Sequence, residues 1–192
     1  LTAFGRIAGS AAAAELGRQA NENPPRLRAF DAQGRRLDRV DYHPAYHRLM
    51  GFSTAQGLHC STWDYLTTMN GPRPGAHVAR CAGSYMAAQM EAGHCCPITM
   101  THAAVATLLH EPVLARSVLP KLLARSYDPR FSAWQKKQAI TVGMGMTERQ
   151  GGTDVRTNTT TATAINGTGP GKAYAITGHK WFLSAPMSDA FL

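Results

Sequence analysis

Apolar positions along the chain fall into two regimes. Up to about residue 125 they recur at helical spacing, and after Pro129 they come in short alternating runs. Gly5 to Gln19 reads as an alanine-rich helix carrying Ile7 and Leu16. Asn21 to Pro25 breaks it, because Pro24 and Pro25 cannot continue a helix and push their predecessors to extended geometry. Leu27 to Tyr42 predicts a small hairpin turning at Gly34, with Leu37 and Val40 as its apolar flanks. His43-Pro44 opens a second helix, with Tyr46, Leu49, Met50 and Phe52 at helical spacing. A loop at Gly71, Pro72, Pro74 and Gly75 precedes a helix expected over 76–92 and closed by Gly93. Pro97 starts the next helix, to about His110, and Val113 to Arg125 forms another after Pro112. Alanine, cysteine and methionine on these helices allow close packing, so this part reads as a helical bundle.

The later runs read as strands: Ala139 to Val142, Thr157 to Ala164, Ala173 to Thr177 and Trp181 to Leu183. Asn166 to Gly171 is a glycine- and proline-rich turn, and the threonines at 159–161 read as exposed strand. The expected fold class is α+β. A helical domain spans 1–134, with the small hairpin at 27–42, and the beginning of a β domain spans 135–192. Leu1 in place of a methionine, and an end inside strand-like sequence at Leu192, read as a portion of a longer protein.

Composition changes this picture in three places. No run approaches the ~20 apolar residues of a membrane span, and no secretory layout opens the chain, so a cytoplasmic location is expected. The net charge is +8 and the pI is near 9.7. Such an excess attracts phosphate-bearing partners such as nucleic acid, coenzyme A or a dinucleotide, or is a solvated surface. Cys60, Cys81, Cys95 and Cys96 lack the C-x-x-C pairing of a zinc site, so they read as reduced thiols buried between helices, and no metal is expected. Gly167 to Lys172 suggests a phosphate loop. It lacks the required first glycine at Asn166 and the Ser or Thr at Ala173, and reads as a turn.

Two segments carry candidate chemistry. The first runs from Met144 through Gly145, Met146, Thr147, Glu148, Gly151 and Gly152 to Thr153. Paired glycines let a backbone approach a ligand closely, and free N–H groups in such a turn can hold anionic oxygens. Thr147 and Thr153 offer hydroxyls at either end of a long ligand, whereas an ordinary hairpin turn is the plainer reading. The second is Gly178-His179-Lys180-Trp181-Phe182-Leu183-Ser184. Phe182 can cover a flat ring and Ser184 can reach a ring nitrogen; the plainer reading is a core strand with a snorkelling Lys180.

Thr147-Glu148 followed by Gly152-Thr153-Asp154 resembles the T-E-x-x-x-G-S-D flavin loop of the acyl-CoA dehydrogenases. Gly178-His179-Lys180 followed by Phe182-Leu183-Ser184 is similar to that family's G-x-K-x-W-I-T strand. A subgroup, the AidB-like adaptive-response flavoproteins, resembles the chain further. The matching stretches are Met144 to Glu148 with Gln150-Gly151-Gly152, Glu91-Ala92-Gly93 with Cys96 to Thr101, and Asp31 to Asp38.

The resemblance implies the acyl-CoA dehydrogenase fold. Its helical domain leads into a β-barrel-like middle domain and then a C-terminal helical domain, usually in a homotetramer. It implies FAD as cofactor, with the backbone from Met144 to Glu148 lining the flavin and Thr147 bonding the ring edge. Thr153 then stands for the serine near the pyrophosphate, Phe182 for the tryptophan against the ring, and Ser184 for the threonine near N5. Phe182 departs from the general family pattern and agrees with the subgroup. The catalytic base belongs to the C-terminal domain, so no residue here is assigned that role. The implied function is an FAD-binding, acyl-CoA dehydrogenase-like protein of the DNA-alkylation response, with weak dehydrogenase activity and duplex DNA held largely by the C-terminal domain. The alternative is a working enzyme oxidising a short or branched acyl-CoA at the α,β bond. A non-flavin reading, a helical interaction module with an incidental β extension, completes the set.

Overall fold

The computed structural model describes residues 1–68 and 70–192. Helices α1 (Thr2–Ala8) and α2 (Ala11–Glu22) replace the single helix expected over 5–19. The break follows from Ser10, whose side chain accepts the N–H of Ala13 and so restarts the chain as a capped helix. The hairpin forms as expected, with β1 (Arg26–Phe30) antiparallel to β2 (Arg36–Asp41). Its turn is held by the Asp31 carboxylate, which accepts the N–H groups of Gln33 and Arg35 at 2.8 Å each.

Four further helices build the body: α3 (Pro44–Ala55), the short α4 (Tyr65–Thr68), α5 (Ala76–Met90) and α6 (Cys95–Leu108). The α5–α6 junction differs from expectation. Helix α5 stops at Met90, not Ala92, because Glu91 turns extended and its carboxylate caps the N–H groups of Gly93 and His94. Helix α6 therefore begins before Pro97. Helix α7 (Pro112–Leu122) starts on Pro112 and tolerates Pro120 within it.

One apolar cluster joins Phe4, Leu16, Leu49, Met50, Leu58, Met90 and Ile98 from α1, α2, α3, α5, α6 and the loop after α3. Contact between α2 and the end of α5 is so close that a Cβ on Gly17 would lie 1.9 Å from the Met90 carbonyl oxygen. A second cluster packs Ala104, Leu108, Val118 and Leu122 against Ile140 and Val142. The chain that follows the helices is thus anchored on α6 and α7.

Strand content is lower than the sequence pattern suggests. Of the run 139–142 only β3 (Val142–Gly143) is a strand, because helical groups satisfy the backbone instead. Ile140 N–H donates to the Lys121 carbonyl, and Val142 N–H donates to Thr101 Oγ1 at 3.0 Å. β4 (Thr161–Ala164) pairs antiparallel with β5 (Tyr174–Thr177) across the glycine-rich turn. β3 pairs in parallel with β6 (Ala190–Phe191). The three two-stranded sheets close no barrel among the described residues. Trp181 to Leu183 is not a strand, since Phe182 takes a left-handed φ of 53° that breaks an extended run. Thr159 and Thr160 are not exposed strand either; both turn onto Glu148.

The cysteines divide. Cys60 is buried and Cys95 partly so, but Cys81 and Cys96 are exposed because they sit on the outward faces of α5 and α6. No described helix is long and apolar enough to cross a membrane.

Candidate functional site

Beyond Gly143 the chain has almost no apolar interior. From 144 to 192 the single buried residue is Glu148, a charged one. A buried carboxylate must be fully hydrogen-bonded to persist, and Glu148 is. Its Oε2 accepts Gln150 Nε2 at 2.9 Å, Thr159 N–H at 2.7 Å and Thr159 Oγ1 at 3.0 Å. Its Oε1 accepts Thr160 N–H at 3.0 Å, Thr160 Oγ1 at 2.6 Å and Lys180 Nζ at 2.9 Å. The hydrogen bond from Gln150, with those from Thr159 and Thr160, outweighs the cost of burial, and Lys180 adds to them. The carboxyl is held well below the usual carboxylate range.

This carboxylate fastens three stretches together: the turn at 148–151, the threonines at 159–160 and the segment around Lys180. The turn closes with reciprocal bonds between Glu148 and Gly151. Trp181 N–H donates to the Thr147 carbonyl at 2.9 Å, and Asn158 Nδ2 donates to the Met146 carbonyl at 2.9 Å. Gly178 allows the approach, because a Cβ there would lie 2.2 Å from Thr160 Oγ1.

The two segments singled out by sequence therefore lie side by side. Gly145 is close enough to Leu183 that a Cβ would meet its Cδ1 at 3.0 Å, and a Cβ on Gly152 would meet Thr147 Oγ1 at 2.7 Å. Met144 and Thr147 are half-buried, and Thr153 and Ser184 are exposed. Met146, Phe182 and Leu183 are exposed at 52%, 83% and 41%. Among the described residues, the backbone N–H groups of Met146, Thr147, Gly152 and Thr153 have no acceptor. The result is an apolar face bordered by free N–H donors and held rigidly from behind. Such a surface suits a flat aromatic ring system with an anionic tail.

Single-residue reading missed the structural half of this arrangement. The Glu148 side chain points inward, onto Thr159 and Thr160. Lys180 serves as its ion-pair partner. Nothing in one sequence links Glu148 to a lysine so far along the chain. A second buried pair was also missed: Lys137 Nζ lies 2.7 Å from Asp189 Oδ1, both side chains 6% exposed. Asp189 Oδ2 also accepts Thr141 N–H at 2.9 Å, which pins the β3–β6 pairing to the chain leaving the helices.

A third network has the outline of a nucleophile–base–acid relay. Ser53 Oγ and His94 Nε2 are 2.8 Å apart, and His94 Nδ1 is 3.1 Å from Glu91 Oε2. Ser53 and His94 are fully buried, so no substrate reaches the hydroxyl, and the network ties α3 to the start of α6. Burial raises the Glu91 carboxyl, but hydrogen bonds from His94 and Gly93 bring it below its ordinary value. Among the described residues no three His, Cys, Asp or Glu side chains converge as a metal site.

Known proteins share this architecture. Residues 1–129 match the family described as the adaptive response protein AidB N-terminal domain. AidB of Escherichia coli (strain K12) is 45% identical over 193 residues, covering 100% of this chain and 34% of AidB. Acyl-CoA dehydrogenase family member 11 of Caenorhabditis elegans is 29% identical over 178 residues, covering 92% of this chain and 27% of that protein. Among solved structures, the apo form of Bd2924 superposes with a TM-score of 0.76 at 29% identity, covering 94% of this chain and 34% of Bd2924. The C. elegans ACDH-11 complex with C11-CoA gives 0.74 at 28% identity, covering 93% of this chain and 28% of that one. The chain spans about a third of the length of the curated relatives it matches. The fold and these likenesses define a member of the acyl-CoA dehydrogenase superfamily. Within it, the chain belongs to the AidB family.

Proposed function

We propose that the face formed by Met144, Gly145, Met146, Thr147, Gly151, Gly152, Thr153, Phe182, Leu183 and Ser184 holds FAD, with Glu148 fixing it from behind. The carrying observation is the Glu148 carboxylate, which locks both segments together while their apolar side chains stay exposed. Exposed apolar surface of this kind is stabilised when a ligand covers it. Bound FAD supplies hydride-accepting chemistry, and the protein supplies position and electrostatics. Phe182 covers the ring, Ser184 donates toward its reactive nitrogen, Thr147 bonds the ring edge, and free N–H groups near Gly152 and Thr153 take the pyrophosphate. In this reading 1–134 is a helical domain and 135–192 the opening of the β domain.

The whole protein is then an FAD-dependent, acyl-CoA dehydrogenase-like protein of the AidB type. Acyl-CoA is the ligand class supported by the C11-CoA complex of ACDH-11. A role in the alkylation response, with weak dehydrogenase activity, a homotetrameric assembly, a cytoplasmic location and duplex-DNA binding, follows the family relationship and the +8 charge of this segment. The full-length protein is expected to purify with flavin absorbance, and Ser184→Ala is expected to shift the flavin potential while leaving the fold intact, since one lost hydrogen bond costs only ~1 kcal/mol. A protein that cannot be reconstituted with FAD would overturn the reading. Duplex binding that weakens steeply with salt, alongside slow acyl-CoA turnover, is the expected profile. Brisk turnover without DNA binding at low salt would assign an ordinary acyl-CoA dehydrogenase instead.

A further inference from the structure

We propose that the cavity at the start of α5, walled by Arg73, Arg80 and Arg125, binds the phosphate dianion of a small organic phosphomonoester. The cavity shares no residue with the face assigned to FAD, and the proposal does not depend on that reading.

The cavity encloses about 430 Å³ between Phe4 of α1, the chain from Gln56 to Tyr65 and the first half of α5. Arg125 reaches it from beyond α7 and pairs with Asp64 at 2.8 Å. Its guanidinium packs so closely on the backbone that a Cβ on Gly57 would lie 2.1 Å from Nη1. Arg80 comes from α5, and its Nε donates to the Leu58 carbonyl at 2.7 Å. Its Nη2 is buried without an acceptor. Among the described residues no carboxylate pairs with Arg73 or Arg80. Three arginines against the single Asp64 therefore leave this wall with two uncompensated positive charges.

A half-buried guanidinium without a counter-ion is costly, because burial strips its water and nothing replaces it. Burial pulls Arg80 below its ordinary value. Burial, and after it the charge of Arg80, holds His102 down to about 4. An anion in the cavity need not touch Nη2 to offset that charge, since attraction acts across several ångströms where water is partly excluded. The start of α5 adds to the field. It opens on Gly75 at φ 74° with no side chain capping it, and the N–H groups of His77 and Val78 have no acceptor among the described residues. Two uncompensated guanidinium charges match a phosphate dianion better than a single carboxylate. The cavity also has the size of a small-molecule site and exceeds what one phosphate group fills. Phe4 and Leu58 give it an apolar floor, held tight against α5 at Gly83, where a Cβ would lie 2.6 Å from Leu58 Cδ2. Tyr65 stands in the same wall. This surface accommodates the organic body of a phosphate ester, which free phosphate would leave uncovered.

The test is calorimetric titration of the full-length protein with AMP, adenosine, inorganic phosphate and succinate at low salt. Wild type is compared with Arg73→Gln, Arg73→Lys and Ala79→Glu. Arg73 and Ala79 are exposed and line the cavity, so these changes alter its charge without touching the core. AMP should bind wild type at one site, about tenfold more tightly than inorganic phosphate, succinate or adenosine. Arg73→Gln and Ala79→Glu should each weaken AMP about tenfold, and Arg73→Lys should weaken it less than Arg73→Gln. AMP affinity that is unchanged in both Arg73→Gln and Ala79→Glu overturns the proposal, because AMP then binds elsewhere. Adenosine or succinate binding as tightly as AMP overturns the phosphate dianion as the group recognised. Inorganic phosphate binding as tightly as AMP overturns the organic ester.

Discussion

The helical region buries mainly apolar side chains, whereas the strand-containing region buries mainly carboxylates. Helices α1 to α3 and α5 to α7 enclose two apolar clusters in which Leu49, Ala104 and Leu122 are inaccessible to solvent. From residue 144 onward the most deeply buried side chains are the carboxylates of Glu148 and Asp189, and large apolar side chains face outward. Hydrophobic burial scales with area and tolerates imperfect geometry. A charge-centred hydrogen-bond network does not: it is directional and depends on every partner. The helical region can therefore hold itself together by packing. The strand-containing region holds its shape through Glu148 and presents its apolar surface to something else.

Three perturbations sharpen this contrast. Leu49→Ala should have the largest effect, about 3 kcal/mol lost from the unfolding free energy through lost transfer energy and an unfilled cavity. Chemical denaturation followed by helical circular dichroism measures it. Peptide-level hydrogen exchange under native conditions should show Thr159 and Thr160 unaffected. Spread of the loosening into 144–160 would break the distinction between the regions. Lys137→Met tests the seam. Removing one partner of a buried ion pair leaves Asp189 uncompensated, at a cost of up to about 3 kcal/mol. Exchange should quicken at Val142 and Phe191, while α1 to α3 stay protected.

Acid supplies a gentler separation. Burial pushes His59 and His102 down to about 4 from the ordinary value of 6.5. Both stay neutral in the folded state while the unfolded chain takes up protons. Their contribution is therefore complete above pH 6.5 and is lost as the pH falls toward about 4. Glu148 behaves differently, because its folded carboxyl lies well below the usual range. Its contribution is complete above the unfolded carboxylate value of roughly 4.3 and fades only in stronger acid. Moving from pH 7 to about 5 should loosen α6 and the loop around His59 before the turn at 148–151. Hydrogen exchange at the two pH values reads the order directly, and earlier loosening of the turn would contradict it.

The sequence made the helices legible because their apolar spacing and their proline and glycine punctuation act locally. Boundaries moved where a side chain intervened. Ser10 divided the first helix, and the Glu91 carboxylate ended α5 early and began α6. The segments 144–153 and 178–184 were legible as motifs, and the structure brings them side by side. Their support was not legible. Thr159 and Thr160 suit a strand by propensity, yet the Glu148 carboxylate takes them at a tertiary distance that no local pattern encodes. Trp181 to Leu183 has strand composition, and the positive φ of Phe182 overrides it.

The central claim is that the Glu148 side chain holds the proposed cofactor face in shape from behind. Glu148→Gln keeps the size of the side chain but removes the charge that Lys180 and the two threonine hydroxyls satisfy. The direct measurement is FAD content of the full-length variant, purified beside wild type, with helical circular dichroism recorded on both. The account predicts that wild type retains FAD, whereas the variant keeps its helical signal and loses most of its flavin. A variant that retains FAD as fully as wild type, with Thr159 and Thr160 still protected from exchange, would contradict it.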